Sequence, residues 1–335
     1  MNQRELYLTH SPPQSRAGLV RTTLRELAPQ DWIVFVYLSL LVLIAWSCDA
    51  SPGRDGALRN MGALLVFLVA TLSVVRSGVL THKFWAPLLY RLAIYGGVQL
   101  SYFFLSGVLP LVNTTTLDHE LYELDMALFG FEPAMMMDSI VTPVTTEWFA
   151  FFYFSYFFLL ALHVIPILMG SRSRRFLSEF ALGLILVFCV GHLVYMLVPG
   201  FGPYKAMADS FSNPLPSGMW LDLVMATVAS GGAQMDIFPS LHTAAPTFIA
   251  LFSYRYRDRM PFRYSWVVVA LFAVNIIIAT MFLRWHYLID VIAGLLLASL
   301  AFLSGVVFTS SESSRRAQLR TDSWPMFGHT GRVAD

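Results

Sequence analysis

The sequence predicts an all-α polytopic membrane protein with about eight transmembrane helices, and three observations carry that prediction. Of 335 residues, 56% are hydrophobic and only 13% charged, against roughly 45–50% and about 25% in a soluble domain. Eight stretches reach or approach the roughly 20 apolar residues that a helix needs to cross a hydrocarbon core about 30 Å thick. Lys and Arg crowd into alternate loops, as groups that resist translocation do. The same composition removes whole classes of function. With 22 basic and 21 acidic residues the net charge is +1, so no positive field exists to hold nucleic acid. The two cysteines, Cys48 and Cys189, sit in or beside apolar runs, too few for a disulfide framework and the wrong setting for a thiolate metal site.

The first expected span, residues 32–47, follows 31 residues without a long apolar run. It exceeds the usual signal-peptide core and lacks a small-residue cleavage site, so it is read as a retained helix. Residues 61–79 and 87–112 follow, the latter carrying Arg91 and Gln99 as partners for other helices. Residues 117–129 place Leu117, Leu121, Leu124 and Leu128 at helical spacing, which predicts a helix lying along the outer surface. Spans then come at 148–169, 176–198, 238–254, 265–283 and 287–308. His163 and His192 inside the fourth and fifth read as hydrogen-bonded core histidines, with a cavity lining as the alternative. The N-terminal 31 residues and the tail from Thr309 read as solvated ends, with an interfacial helix around residues 19–27. No internal repeat is present.

Orientation follows from the loop charges. The N-terminal segment, the loops with Arg76 and Lys83, with Arg172, Arg174 and Arg175, and with Arg255, Arg257, Arg259 and Arg263, and the tail are all basic. Residues 113–146 hold no Lys or Arg, and residues 200–237 hold only Lys205. Both termini are therefore expected in the cytoplasm and the two long loops outside. Loop 49–60, with Arg54 and Arg59, is discordant.

Ionisable residues within spans are costly and become functional candidates. They cluster in Phe238-Pro-Ser-Leu-His-Thr243 at the start of the sixth span and Leu283-Arg-Trp-His-Tyr-Leu-Ile-Asp290 at the start of the eighth. One return span separates the two, so His242 and His286 are expected at the same membrane face. His286 and Asp290 stand four apart on one helix face, near enough for the carboxylate to fix the ring tautomer and leave the other nitrogen free. Arg284 offers a fork suited to phosphate oxygens, and Ser240 opens a helix whose N–H groups suit an anion. Two imidazoles, a carboxylate and an arginine point to phosphoryl transfer, one His attacking phosphorus and the other protonating the leaving oxygen. Each piece alone also has a structural reading: a buried ion pair, an N-cap at Ser240, an interfacial anchor at Arg284.

PSLHT, followed about forty residues later by RWHYLIDVIAG, resembles the second and third signature motifs of the type 2 phosphatidic acid phosphatase superfamily, whose general forms are P-S-x-H and R-x5-H-x3-D. The resemblance is closest to the inositol phosphorylceramide synthase branch, the inositolphosphotransferases of sphingolipid metabolism, and its bacterial relatives. In that branch a Thr or Ser stands six before the nucleophilic His, as Thr280 does here. The loop Pro199-Gly-Phe-Gly-Pro-Tyr-Lys205 and the LDMALFG stretch extend the similarity over residues 80–310. It implies a six-helix catalytic core there, with residues 32–79 adding two further helices between a cytoplasmic segment at 1–31 and a cytoplasmic tail at 311–335. It also implies that His286 forms a phosphohistidine, that Asp290 orients it, and that His242 is the general acid. The superfamily's basic first motif, K-x6-R-P, is absent, which leaves Lys205, Tyr204 and Arg284 as phosphate-binding candidates.

The expected protein is thus an inner- or plasma-membrane enzyme with its site facing outside, needing no metal or cofactor. It would move a phosphoryl headgroup from a lipid phosphoester donor to a lipid or polyol acceptor through His286, with Thr280 and Ser240 among the substrate-binding candidates. A phosphatase acting on phosphatidate or an isoprenoid phosphate is the first alternative. A transporter or structural membrane protein using its histidines as a relay is the second, disfavoured because both histidines lie at one face and no pair of broken helices repeats.

Overall fold

The computed structural model describes residues 23–231, 234–319 and 321–328. Among these residues the fold is all-helical, with no strand beyond one bridge between Gly200 and Asp236. Seven helices are long and apolar enough to cross a membrane: α1 (Pro29–Ser47), α2 (Pro52–Arg76), α3 (Trp85–Gly107), α5 (Pro143–Gly170), α6 (Arg174–Tyr195), α9 (Phe262–Phe282) and α10 (Leu288–Leu319). Shorter helices include α4 (Asp118–Phe129), α7 (Met219–Gly231) and α8 (Leu241–Arg255). The outward faces of the long helices are apolar, with Trp46, Val66, Leu162, Leu296 and Val307 all exposed. A surface of that kind belongs against lipid, and the protein is an integral membrane protein.

Local signals in the sequence start these helices. Ser51 and Ser173 accept the N–H of Arg54 and Phe176, and Thr142 forms a capping box with Thr145. Proline follows the cap at Pro29, Pro52 and Pro143, where its missing N–H costs nothing. The sixth expected span becomes α8, only 15 residues long. It is short because it is enclosed: α5, α6, α9 and α10 all pack on it, and Ala244, Ala245, Phe248 and Ile249 are fully buried. The discordant loop at 49–60 is largely helix, since α2 begins at Pro52 and carries Arg54, Asp55 and Arg59 within its first turns.

The helix expected at 117–129 forms, and the expectation of a solvated tail is corrected. The surface helix at 117–129 forms as α4, but it buries Asp118, Leu121 and Asp125 and leaves Leu128 58% exposed. Its carboxylates, not its leucine stripe, hold it down, because they find unpaired backbone N–H groups on neighbouring segments. The tail is not solvated throughout. Helix α10 continues to Leu319, and residues 321–328 fold back so that Trp324 is 1% exposed. Trp324 packs edge-on against Tyr90, Arg91 lies over Phe327 and donates to the Pro325 carbonyl, and Arg76 and Gln30 donate to the Ser323 carbonyl. Arg76 also pairs with Asp31 at 2.7 Å, so the segment closes a buried polar cluster joining α1, α2 and α3. Of the interfacial helix expected at 19–27, Thr23–Glu26 is helical and the rest of its start lies outside the described residues.

Candidate active site

The turn between α9 and α10 and the segment leading into α8 meet at one end of the bundle. Ser240 caps α8 by accepting the Thr243 N–H, and its own N–H donates to the Asp290 carbonyl at 3.0 Å. A Cβ at Gly294 would lie 2.5 Å from the Ser240 carbonyl oxygen, so only glycine lets α10 approach α8 this closely. The start of α10 is capped from elsewhere in the chain. Asp125 of α4 accepts the N–H groups of Leu288 and Ile289 at 2.7 and 2.9 Å. Asp118 accepts those of Phe201 and Gly202 and the Tyr287 hydroxyl. The Tyr204 N–H donates to the Arg284 carbonyl at 2.6 Å. The LDMALFG stretch and the Gly-Pro-Tyr loop are therefore the supports of the Arg-Trp-His turn.

This scaffold places His242 and His286 with ring centroids 6.5 Å apart. Both line a cavity of about 400 Å³ together with Lys205, Tyr204, Trp285 and Asp236. The Nδ1 of His286 faces Asp290 Oδ2 at 3.3 Å, and the same oxygen accepts the Tyr287 N–H at 3.0 Å. Nδ1 is thus the nitrogen turned toward the carboxylate. Burial holds the His286 imidazole down to about 4, partly countered by the charge of Asp236 and a hydrogen bond with the Ile237 backbone, which favours the neutral ring at pH 7. His242 is sandwiched between Tyr153 at 4.4 Å and Tyr156 at 4.2 Å, and its buried Nε2 has no hydrogen-bond partner among the described residues. An attacking nitrogen needs phosphorus within about 3–3.5 Å, and a proton donor needs the leaving oxygen within about 2.6–3.2 Å. The two rings, 6.5 Å apart by centroid and tilted at 44°, thus open onto one shared cavity.

The structure brings five of the eight sequence candidates to the site: His242, His286 and Asp290, with Lys205 and Tyr204 on the cavity wall. Lys205 lies over the Phe201 ring at 3.6 Å, and Tyr204 packs on Trp285. The other three do not line the cavity. Arg284 takes a positive φ of 67° and turns its guanidinium outward to Asp138, the Asn213 carbonyl and the face of Phe211. Thr280 is buried with its hydroxyl on the Ile277 carbonyl, and its own carbonyl accepts the N–H groups of Trp285 and His286. Ser240 is the N-cap described above.

Sequence reasoning missed Asp236 and the tyrosines. Asp236 lines the cavity and accepts the Tyr102 hydroxyl at 2.6 Å. Its signal was present: it stands six before His242 and is the only acid between Asp222 and Asp258. His192 lies deeper in the same cavity with Nδ1 on the Tyr37 hydroxyl at 2.8 Å, so it is a hydrogen-bonded and a lining residue at once. His163 bonds to the Leu159 carbonyl of its own helix and does not line the cavity. A family model described as the PAP2 superfamily matches residues 119–304, which include both histidine motifs. No curated protein and no solved structure matches the chain.

Proposed function

The chain belongs to the PAP2 superfamily of phosphatases and phosphotransferases, and from that premise we propose that it is a lipid phosphotransferase working through a phosphohistidine on His286. The observation that carries the reading is the pair of imidazoles across one cavity, one backed by a carboxylate and the other with a buried, unpartnered nitrogen. In the first step His286 Nε2 attacks phosphorus, the P–O bond to the leaving lipid alcohol breaks, and His242, protonated as the anionic phosphoryl group binds beside it, delivers that proton to the leaving oxygen. In the second step an acceptor alcohol enters the vacated position, His242 takes its proton, the new P–O bond forms and the P–N bond breaks. Asp290 holds the His286 tautomer and stabilises the ring as it gains positive charge. Lys205 supplies a cation at the cavity wall for the phosphoryl oxygens.

Transfer in the manner of the inositolphosphotransferases is favoured over hydrolysis by the small cation count. Arg284 is occupied by Asp138, and the basic first motif is missing. A dianionic phosphomonoester needs more positive charge than a singly charged diester. The aromatic lining of the cavity also suits an alcohol better than water. We place the site on the extracytoplasmic face of an inner or plasma membrane, on the strength of the loop charges.

Trapping tests the assignment. A His242→Ala variant given a donor with an activated leaving group should form a phosphoenzyme, because such a group needs little protonation, and His286→Ala should form none. Equal labelling of the two variants would place the nucleophile elsewhere. Faster release of phosphate from phosphatidate than any headgroup transfer between lipids would make the protein a phosphatase.

A further inference from the structure

Asp236 is out of place in a site built only to hold phosphate. A carboxylate accepts hydrogen bonds and offers none, and beside a phosphoryl dianion it is a like charge in a poorly screened setting. Yet it lies on the wall of the same cavity as both histidines. Among the described residues only the Tyr102 hydroxyl bonds to it from another side chain, on Oδ2. Its position is fixed, because Gly200 donates to the Met235 carbonyl at 3.2 Å and so pins the segment that runs into the Pro-Ser-Leu-His turn.

We propose that Asp236, held by Tyr102, is the specificity-determining residue for the group transferred, binding the hydroxyls of a polyol headgroup that stays on phosphorus and disfavouring a bare phosphomonoester. The inference rests on the phosphotransfer reading of this cavity. In a double displacement through His286 the leaving and entering alcohols use the same position, facing His242. The remaining substituent on phosphorus then projects sideways from that axis, and in this proposal the wall with Asp236 and Tyr102 receives it. A monoester has only charged oxygen to place there, whereas a diester places its headgroup.

The surroundings of the carboxylate decide which headgroup. Tyr102 presents its hydroxyl to Asp236, and Tyr153 and Tyr195 line the same cavity. A quaternary ammonium group needs open aromatic faces. Here the face of Tyr102 stacks on His192 at 5.5 Å and that of Tyr153 on His242 at 4.4 Å. A phenol hydroxyl on the carboxylate, with further tyrosines, Gln99 and His192 lining the same cavity, forms a set of donors and acceptors that suits several hydroxyls on one ring or chain.

The test uses the full chain in lipid vesicles with three donors: phosphatidylinositol, phosphatidylcholine and phosphatidate. The wild-type protein should prefer the polyol diester. Asp236→Asn should lower kcat/KM for phosphatidylinositol by about ten-fold, the scale of one charge-assisted hydrogen bond, mainly through KM, and the ratio of phosphatidylinositol to phosphatidate turnover should fall with it. An equal loss on all three donors, an unchanged ratio, or a wild-type preference for phosphatidylcholine overturns the proposal. If Asp236→Asn does not fold, Tyr102→Phe keeps the carboxylate but frees Oδ2, and it should lower the same ratio by a smaller factor; no change there is equally fatal. Absence of any His286-dependent turnover in the wild-type chain is a separate failure, which removes the phosphotransfer reading and this inference together.

Discussion

Gly202 has a φ of +81°, and a Cβ built on it would collide with the carbonyl oxygen of Trp285. Gly202→Ala should therefore displace the turn that carries His286 and abolish turnover, while the bundle still inserts; activity beside a thermal melt of the purified protein separates the two effects. The low pKa of His286 gives a pH signature. As pH falls through about 4 the ring gains a proton and loses its attacking lone pair, so phosphoenzyme formation in His242→Ala should hold down to about that pH and not fail near the ordinary histidine value of about 6.5. Single-turnover labelling across pH checks this, and an acid limb near 6.5 would mean a hydrated site. Both histidines and Asp290 were legible in the sequence because their spacing is set by one helix turn and by alternation of spans. The directions of Arg284 and Thr280 were not. They depend on a positive φ and on a helix end, which no spacing rule records.

Helix boundaries were readable where hydropathy alone sets them, as in α1, α5, α6 and α9. They were misread where polar partners intervene. Helix α2 begins nine residues before its expected span because Ser51 and Pro52 start it in charged sequence, and α7 was not expected at all. The first turn of α7 is fixed by Glu147, which accepts the N–H groups of Trp220 and Leu221 at 3.0 Å each. The acidic stretch at 113–146, whose value in the sequence was only its sign, thus supplies acceptors for backbone N–H groups of other segments through Asp118, Asp125 and Asp138, as Glu147 just beyond it does. Asp125→Ala should cost about 0.5–2 kcal/mol, the usual range for a lost cap. It should cost more in activity than in stability, since the turn it anchors holds the nucleophile; parallel measurement of Tm and kcat distinguishes this from uniform loosening.

Across the whole molecule, the two histidine motifs converge at one end and the 321–328 segment closes the other. Which end faces which compartment is open to a direct check. Single cysteines at Glu123 and Ser212 should label from the extracytoplasmic side, and labelling only from the cytoplasm would invert the topology and move the site with it. Trp324→Ala should destabilise the protein by roughly 3–5 kcal/mol, the range for emptying a buried aromatic site, seen as a lowered Tm with the catalytic end intact. The closing segment also bears on biosynthesis. Arg76 and Asp31 enter the bilayer early, with the first two helices, but two of the carbonyl acceptors for Arg76 belong to Asp322 and Ser323. That charged cluster stays incompletely satisfied until Asp322, 246 residues after Arg76, has been made, so α1 and α2 are expected to pack loosely against each other until then.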